Sequence, residues 1–296
     1  MRTLVVTALK DEGPYILEWA AYYTAIGFSN ILVFENDSTD FSDAILLRLR
    51  ELGAIEYIKN KDYSGSPQMS AFQKALTLDT YRSADYVLCA DCDEFIVPKD
   101  VNCIADFLIP RNNARAIAIN WLNFGSSHIE RWAPAMTIER FTMCAEATHT
   151  QNLMFKSLHR PSDIFASFCM HRPWPKTAIE DFVFTDGTTV DAGVQLGDAP
   201  LDVSKIPNRH ASCTINHYSV RSLEEYRQKE IRGDGFFVGT GYGGRAKFLQ
   251  RDTNKFQNLD IQKFIPRTIQ ILSQYLQDPR LARLHRETCL RHFQRA

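Results

Sequence analysis

Apolar residues in the first hundred positions form short blocks separated by longer segments with helical spacing. The blocks at 2–8, 30–34, 54–58 and 86–90 are compact, rich in branched or aromatic residues, and end at polar positions, a pattern typical of buried strands. Between them, apolar residues recur three or four positions apart over 15–26, 41–52 and 67–81, which predicts three helices. This alternation predicts an α/β fold with a mostly parallel sheet and helices on both faces.

The second half of the chain has a less regular pattern. Alternating stretches near 115–121 and 135–143 predict an antiparallel extension of the sheet, and 214–218 predicts a short strand followed by a helix at about 222–231. From residue 261 the pattern is helical, with breaks at Pro266 and Pro279. We therefore expect a main domain at 1–260, with halves at 1–100 and 101–260, and a helical C-terminal extension at 261–296.

Polar clusters follow three of the predicted strands. The clusters are Lys10, Asp11 and Glu12 after the first strand, Asn36, Asp37 and Asp40 after the second, and Asp91 and Asp93 after the fourth. The carboxyl ends of parallel strands share one edge, and ligands of such sheets bind there. Clustered carboxylates repel each other unless a cation lies between them, and Mg²⁺ or Mn²⁺ would in turn hold phosphates. An isolated Asp-x-Asp is more often a solvated turn, but three clusters converging on one edge favour a nucleotide site with a metal.

The composition excludes several other classes of protein. Neither G-x-G-x-x-G nor G-x-x-x-x-G-K-[S/T] occurs, so neither a dinucleotide fold nor a P-loop is indicated. The net charge of −1 over 296 residues gives no support for nucleic-acid binding. The seven cysteines are scattered, and Cys89 and Cys92 lack the second pair that a structural zinc site needs. No run approaches the ~20 apolar residues of a membrane-spanning helix, so a cytoplasmic protein is expected.

Two segments leave alternatives open. Residues 263–296 contain seven Lys or Arg against two Asp or Glu. This basic helical region either packs on its own domain or makes a peripheral contact with an anionic membrane surface. The glycine-rich and aromatic segment 233–244 is either a linker or a lid that orders over a ligand.

These motifs together resemble the glycosyltransferase family 2-like proteins and the related family 92, which have the GT-A fold. The matching residues are Lys10-Asp11-Glu12-Gly13-Pro14-Tyr15 with Leu17-Glu18-Trp19; Glu35-Asn36-Asp37-Ser38-Thr39-Asp40; Ala84-Asp85-Tyr86 through Asp91-Cys92-Asp93-Glu94-Phe95; Asn120-Trp121 with Phe124-Gly125-Ser126-Ser127; Glu139-Arg140-Phe141; and Asn216-His217-Tyr218 with Ser222-Leu223-Glu224-Glu225-Tyr226, Lys229, Arg232 and Gly233. The resemblance runs from residue 10 to about 233 and leaves the last 60 or so residues uncovered.

The resemblance implies a site for a nucleoside-diphosphate sugar, which we expect to be a UDP-sugar. It also implies that residues 1–100 form the nucleotide-binding half of the domain and residues 101–260 the half that binds the donor sugar and the acceptor. The implied roles are nucleotide contacts for Lys10, Glu12, Asn36, Asp37, Gln73 and Asp91; Mn²⁺ or Mg²⁺ ligation for Asp91, Asp93 and His217; diphosphate binding for Lys229 and Arg232; and sugar or acceptor contacts for Trp121, Asn123, Phe124, Gly125 and Ser126. For His217 the alternative is a satisfied histidine beside Tyr218.

The implied reaction is sugar transfer to an acceptor hydroxyl on a glycan or glycolipid, with inversion at the anomeric carbon. Such an enzyme needs a carboxylate that takes the proton of the acceptor. Spacing along the chain favours Asp181, with Glu180, Glu139 and Asp163 as alternatives. Two other classes stay open: a catalytically silent protein that binds sugar nucleotides or glycans on the same fold, and a nucleotidyltransferase. The nucleotidyltransferase is disfavoured because the loop after the first predicted strand has only one cation, Lys10, beside an acidic pair.

Overall fold

The computed structural model describes residues 1–63, 65–197, 209–233 and 243–294. The strands are β1 (Thr3–Leu9), β2 (Asn30–Glu35), β3 (Glu56–Lys59), β4 (Tyr86–Cys89), β5 (Glu94–Pro98), β6 (Ala116–Asn123), β7 (Met143–Cys144), β8 (Phe155–His159), β9 (Phe165–Phe168), β10 (Pro173–Pro175), β11 (Phe182–Phe184), β12 (Cys213–His217) and β13 (Phe256–Gln257). The helices are α1 (Gly13–Ala25), α2 (Ser42–Glu51), α3 (Pro67–Ala75), α4 (Asp79–Arg82), α5 (Ile104–Leu108), α6 (Thr137–Arg140), α7 (Ala192–Leu196), α8 (Leu223–Arg232), α9 (Gly244–Arg251), α10 (Ile265–Leu276) and α11 (Pro279–Gln294).

One mixed sheet organises the described part of the chain, in the order β3-β2-β1-β4-β8-β6-β12-β5, with β11 beside β6. Strands β3, β2, β1 and β4 are neighbours in that order and pair in parallel. Because β4 and β6 both pair antiparallel with β8, they run in the same direction. Strand β12 is parallel to β6 and therefore shares this direction. Strand β5 pairs antiparallel with β12. The predicted α/β architecture, with a parallel sheet and an antiparallel extension, is confirmed. Since β4 pairs with β8, strands from 1–100 and from 101–260 share this sheet.

Both faces of the sheet are buried. In β1, Val5 and Leu9 belong to a core cluster that includes α1 and α2 residues, whereas Leu4 and Val6 belong to a cluster on the other face that includes Phe72 of α3. Burial on both faces explains why the first strands are continuous apolar runs rather than alternating ones.

Two predicted elements differ in the structure. The helix predicted at 67–81 is two helices, because Leu78 has an extended backbone that interrupts the helical pattern between α3 and α4. The strand predicted at 135–143 is wrong: this region contains the short helix α6 and only the two-residue strand β7. The buried carboxylate of Glu18 in α1 accepts the N–H groups of Thr137 and Ile138 at 2.8 and 3.0 Å. It therefore caps the start of a helix that the local pattern does not indicate.

The C-terminal region is helical, as predicted, and docks on the domain. Helix α11 packs against α1 and α2, and its Leu281 and Leu284 are buried. The Arg48 guanidinium holds Asp278, just before α11, through two hydrogen bonds of 3.1 and 2.5 Å. The domain itself therefore covers this apolar part of α11. Within the described ranges, no helix has the length and apolar character to cross a bilayer.

Candidate functional site

The site lies at the sheet edge where the parallel strands end. Asp91 and Asp93 follow β4, Asn123 ends β6 and His217 ends β12. The antiparallel strands β5 and β8 begin at the same edge, which brings in residues near their starts. The topology therefore gathers side chains from five strands that are far apart in the sequence.

Asp93 is the centre of a buried ion cluster. Its Oδ2 accepts from the Lys229 ammonium at 2.6 Å, and the same ammonium donates to the carbonyl of Ser219 at 2.8 Å. Burial opposes ionisation of Asp93, but Lys229 and its other charged neighbours outweigh burial and hold the pKa of this carboxyl well below its usual range. Burial also lowers the pKa of Lys229, although Asp93 opposes that effect. Asp93 is therefore a permanent anion.

His217 faces the other oxygen of Asp93. Its Nε2 lies 3.9 Å from Asp93 Oδ1, while its Nδ1 is 3.1 Å from Asn123 Oδ1. Burial lowers the pKa of His217 to about 3, so the imidazole is neutral at physiological pH. The ring packs against Trp121, with ring centroids 4.2 Å apart.

A second ion cluster holds Asp91. Lys156, near the start of β8, is completely buried and its Nζ lies 3.0 Å from both Asp91 Oδ2 and Glu94 Oε2. Gln68 donates to Asp91 Oδ1 at 2.8 Å. Burial raises the pKa of Glu94 and Asp91 adds to the effect, while Lys156 opposes it; Glu94 Oε1 has no hydrogen-bond partner among the described residues. Asp91 and Asp93 thus pair with different lysines, Lys156 and Lys229, and each lysine offsets the repulsion between the two neighbouring carboxylates.

A third cluster joins the loop after β1 to helix α8. Glu12 accepts from Arg221 at 3.2 Å and from Arg232. The Arg221 side chain is 1% exposed, donates to the carbonyl of Cys92 at 3.2 Å, and stacks 3.4 Å above the ring of Tyr15. Burial opposes ionisation of Glu12, but the two arginines lower its pKa.

A cleft of about 510 Å³ opens beside this third cluster. Its lining combines the loop after β1, the loop after β2, helix α8 and helix α11. Lys10, Glu12, Lys229 and Arg232, four of the predicted ligand-binding residues, line it. His292 of α11 lines it too, 3.2 Å from the hydroxyl of Tyr15, although no sequence pattern places the C-terminal helix at the site.

Three predicted nucleotide contacts lie elsewhere. Asn36 is buried and accepts from Asn60 at 2.6 Å, while the exposed Asp37 accepts from Tyr63 at 3.2 Å. Gln73 is exposed on α3, and the glutamine that contacts Asp91 is Gln68, one and a half turns earlier. The nucleotide contact of Gln73 stays a prediction, because helical spacing alone does not say which side of α3 faces the motif.

The predicted sugar and acceptor loop is mostly structural in the described residues. Phe124 is fully buried against Tyr218, with ring centroids 4.6 Å apart, so its prediction as a sugar contact is wrong. At Gly125 a Cβ would lie 2.4 Å from Asn254 Oδ1, which makes the absence of a side chain a packing requirement. Ser126 is buried and its N–H donates to Asp252 at 2.6 Å. Trp121 alone of the predicted set is partly exposed beside His217; Asn123 is buried behind it.

The predicted catalytic base is at the wrong edge of the sheet. Asp181 immediately precedes β11, which runs parallel to β6, and it pairs with Arg115 at 3.0 Å at the start of β6. Glu180 lies beside it, and Asp163 follows β8, which runs the opposite way. All three lie at the edge opposite Asp93. Glu139 is exposed on α6 and is the remaining candidate of the four.

The predicted three-residue metal site is not assembled in the described residues, where no group of three or more His, Cys, Asp or Glu side chains is placed to hold an ion. Gln68 and Lys156 each bind one oxygen of Asp91, and its role as a ligand stays a prediction. Asp93 Oδ1 and His217 Nε2 remain, two acceptors 3.9 Å apart. Two neighbouring ligands at ~2.1 Å from an octahedral ion lie about 3 Å apart, so this pair would have to close by about 1 Å around a cation. A carboxylate oxygen and an imidazole nitrogen are both common ligands of divalent cations, whose other ligands would come from water and phosphate oxygens.

Lys156 and Arg221 are two buried cations of the site that sequence analysis missed. Lys156 stands among Phe155, Ser157 and Leu158, a context typical of a strand with one exposed face. Both are fully or almost fully buried cations, which proteins keep only when they are paired. The acidic excess of the loops after β1 and β4 was a signal that buried cations had to exist.

Comparison with known proteins gives one family. The model of glycosyltransferase family 92 matches residues 10–183, more than half of the chain. Among curated protein sequences nothing matches.

Several solved structures are similar at low identity. S. aureus TarS 1-349 has 15% identity and a TM-score of 0.40, over 91% of this chain and 72% of that one. The same protein in complex with UDP-GlcNAc has 13% identity and a TM-score of 0.38, over 91% and 73%. Glucosyl-3-phosphoglycerate synthase from Mycobacterium tuberculosis, in complex with Mn²⁺, UDP and glucosyl-3-phosphoglycerate, has 14% identity and a TM-score of 0.30, over 40% and 44%. The match to TarS in complex with UDP spans 47% of that chain. Likenesses this distant carry no argument about activity.

Proposed function

Since this chain belongs to glycosyltransferase family 92, we propose that it transfers a sugar from a nucleoside-diphosphate donor to an acceptor hydroxyl. The observation that supports this most is the buried pair of Asp93 and Lys229 beside His217. It places a fixed anion, a cation and a neutral imidazole together at the edge where parallel sheets bind ligands. A diphosphate with a divalent cation complements all three groups.

The cleft is the proposed place of the nucleotide. Lys10, Arg232 and Lys229 line it and would donate to phosphate oxygens, with Arg221 held rigidly behind them by Glu12 and Tyr15. Fixed donors of this kind neutralise charge on a departing diphosphate without reorganising. Lys229 is already desolvated, which strengthens its attraction to an anion.

We further propose that Asp93 Oδ1 and His217 Nε2 hold the divalent cation. A mixed nitrogen and oxygen pair suits Mn²⁺ better than Mg²⁺, which prefers oxygen ligands throughout. When bound, the ion supplies Lewis-acid stabilisation of the diphosphate leaving group. Lys229 stays on Oδ2 of the same carboxylate, so the two cations need not compete for one oxygen.

Inversion at the anomeric carbon is part of the proposal. It requires a carboxylate within hydrogen-bond reach of the acceptor hydroxyl, and Glu139 is the candidate left from the sequence-based set. The partly exposed Trp121 beside His217 would offer an aromatic face to the sugar. The anomeric configuration of the product, read by proton NMR, decides between inversion and retention.

A catalytically silent sugar-nucleotide-binding protein is the second candidate. It is favoured by one observation, that three of the four carboxylates predicted as the base lie at the edge opposite Asp93. Slow hydrolysis of a UDP-sugar in the absence of acceptor would identify an enzyme. A donor that is bound and remains intact over days would identify a binder.

We predict that UDP stabilises the protein only together with Mn²⁺. A ligand at about 100 times its Kd adds about 2.7 kcal/mol, which corresponds to a rise in Tm of roughly 5–10 °C for a chain of this size. Thermal melting is followed with UDP, GDP and CMP, each with Mn²⁺ or with EDTA. CMP lacks the second phosphate and is expected to give a much smaller shift. Equal stabilisation by UDP with EDTA would contradict the metal-bridged site.

The proposal also includes the acceptor and the cellular location of the protein. The acceptor would be a hydroxyl of a glycan or glycolipid, and the protein would work in the cytoplasm, in peripheral contact with the membrane. The solvent-facing arginines of α11, such as Arg283 and Arg286, would make that contact. Co-sedimentation with anionic lipid vesicles tests it, and recovery of all protein in the supernatant at low salt would exclude it.

A further inference from the structure

Asn152 is a fully buried amide in a short 3-10 turn, Thr150–Leu153. Its Oδ1 accepts from both the backbone N–H and the side-chain Nδ2 of Asn123, each at 2.9 Å. Its own Nδ2 donates to the carbonyl oxygen of Glu146, also at 2.9 Å. Every polar atom of this side chain is thus used, although the turn lies outside all the motifs of the sequence.

These contacts fix the orientation of two amides. A backbone N–H can only donate, so the Asn152 atom that faces it is the oxygen; a carbonyl can only accept, so the atom that faces Glu146 is the nitrogen. With Asn152 fixed, the Asn123 atom that contacts Asn152 Oδ1 is the nitrogen. The oxygen of Asn123 therefore points at His217.

The orientation of Asn123 in turn determines where the proton of His217 lies. An amide oxygen 3.1 Å from Nδ1 accepts only if Nδ1 carries the hydrogen. In a neutral imidazole the other nitrogen is then bare. Nε2 consequently presents a lone pair to Asp93 Oδ1, and two acceptors face each other across 3.9 Å, too far apart for a hydrogen bond.

We propose that Asn152 is a positioning residue that fixes the Nδ1–H tautomer of His217 through Asn123 and so prepares the Nε2 lone pair for a cation beside Asp93. The identity of the cation rests on the proposed function; the tautomer does not. Hydrogen-bond partners of this kind orient metal-ligating histidines and determine which nitrogen is free.

Loss of the Asn152 amide should release Asn123. If the Asn123 amide flips, its Nδ2 donates to His217 Nδ1, and the imidazole must carry its proton on Nε2. That N–H would point at Asp93 Oδ1 and occupy the cation position. The wrong tautomer is thus a specific and measurable consequence, different from a general loosening of the fold.

The experiment compares the wild type with Asn152→Leu, which has similar volume and no amide, and Asn152→Asp, which keeps an oxygen opposite Asn123. The first readout is the ¹⁵N NMR tautomer of His217 in metal-free protein, assigned by comparison with His217→Gln. We expect Nδ1–H in the wild type and in Asn152→Asp, and Nε2–H in Asn152→Leu. Nε2–H in the wild type, or unchanged Nδ1–H in Asn152→Leu, would overturn the proposal.

The second readout is binding of Mn²⁺ alone, measured by EPR. Loss of such an outer partner typically weakens metal binding 10–100-fold, and we expect a loss of that size in Asn152→Leu but not in Asn152→Asp. Near-ultraviolet circular dichroism controls for folding, and the wild-type tautomer needs no variant. A wild type with Nδ1–H that binds no Mn²⁺ would support the positioning role of Asn152 and remove the cation from the proposed function, so the two failures are distinguishable.

Discussion

Replacement of Asp93 by asparagine is expected to abolish the Mn²⁺-dependent stabilisation by UDP and to lower turnover by at least about 10²–10³-fold, the effect typical of losing one fixed electrostatic group at a reacting centre. The substitution preserves the shape of the side chain but removes the anion that pairs with Lys229 at 2.6 Å and faces His217. Without it, the site presents a buried ammonium and a neutral amide to a cation. The measurements are calorimetric titration of UDP with Mn²⁺ and the rate of sugar release from the donor.

The matched control is Asp163→Asn, which makes the same change at an exposed position on the opposite edge of the sheet. It should leave binding and turnover unchanged. Melting of ligand-free Asp93→Asn separates lost affinity from lost folding. If a folded Asp93→Asn variant binds UDP with Mn²⁺ as tightly as the wild type, the cation is not held at this carboxylate.

Replacement of Lys156 by methionine is expected to cost about 3–5 kcal/mol of the free energy of unfolding, because it leaves buried carboxylates without their partner. Lys156 and Glu94 are both completely buried, and the lysine also holds Asp91. For a chain of this size the cost corresponds to a drop in Tm of roughly 10 °C. Urea unfolding at pH 7 and thermal melting measure it.

The double variant Lys156→Met with Glu94→Gln is the control. It removes both fully buried charges and should recover much of the lost stability, since replacing a buried ion pair as a whole is often close to neutral. In the contrary outcome, the losses in free energy of unfolding of the two single variants, Lys156→Met and Glu94→Gln, would simply add up in the double variant. That outcome would mean that the two side chains do not interact.

The first half of the fold was predictable because its signals are local. Each of β1, β2 and β4 is an apolar run with a polar end, and Pro14 and Ser66 stand where α1 and α3 begin. Helix α6 was not predictable, because its first N–H groups are capped by Glu18, which is 119 residues away from Thr137. Local periodicity contains no information about a partner at that distance.

The same distinction applies to the site. Asp93 follows β4, His217 ends β12 and Lys229 lies in the last turn of α8, so topology brings them to one edge. Lys156 could not be assigned from sequence, because its burial depends on Asp91, 65 residues earlier. Asp181 failed as a base for a related reason: distance along the chain does not say in which direction β11 runs, and its parallel pairing with β6 places that residue at the far edge.

Lys10 and His292 both line the cleft, although they lie about 280 residues apart in the chain. The first strands can pair before helix α11 has been synthesised, so the cleft is complete only once that helix has docked. Contacts so far apart in the chain also slow folding, and the apolar surface of α1 that α11 covers stays exposed to aggregation until then.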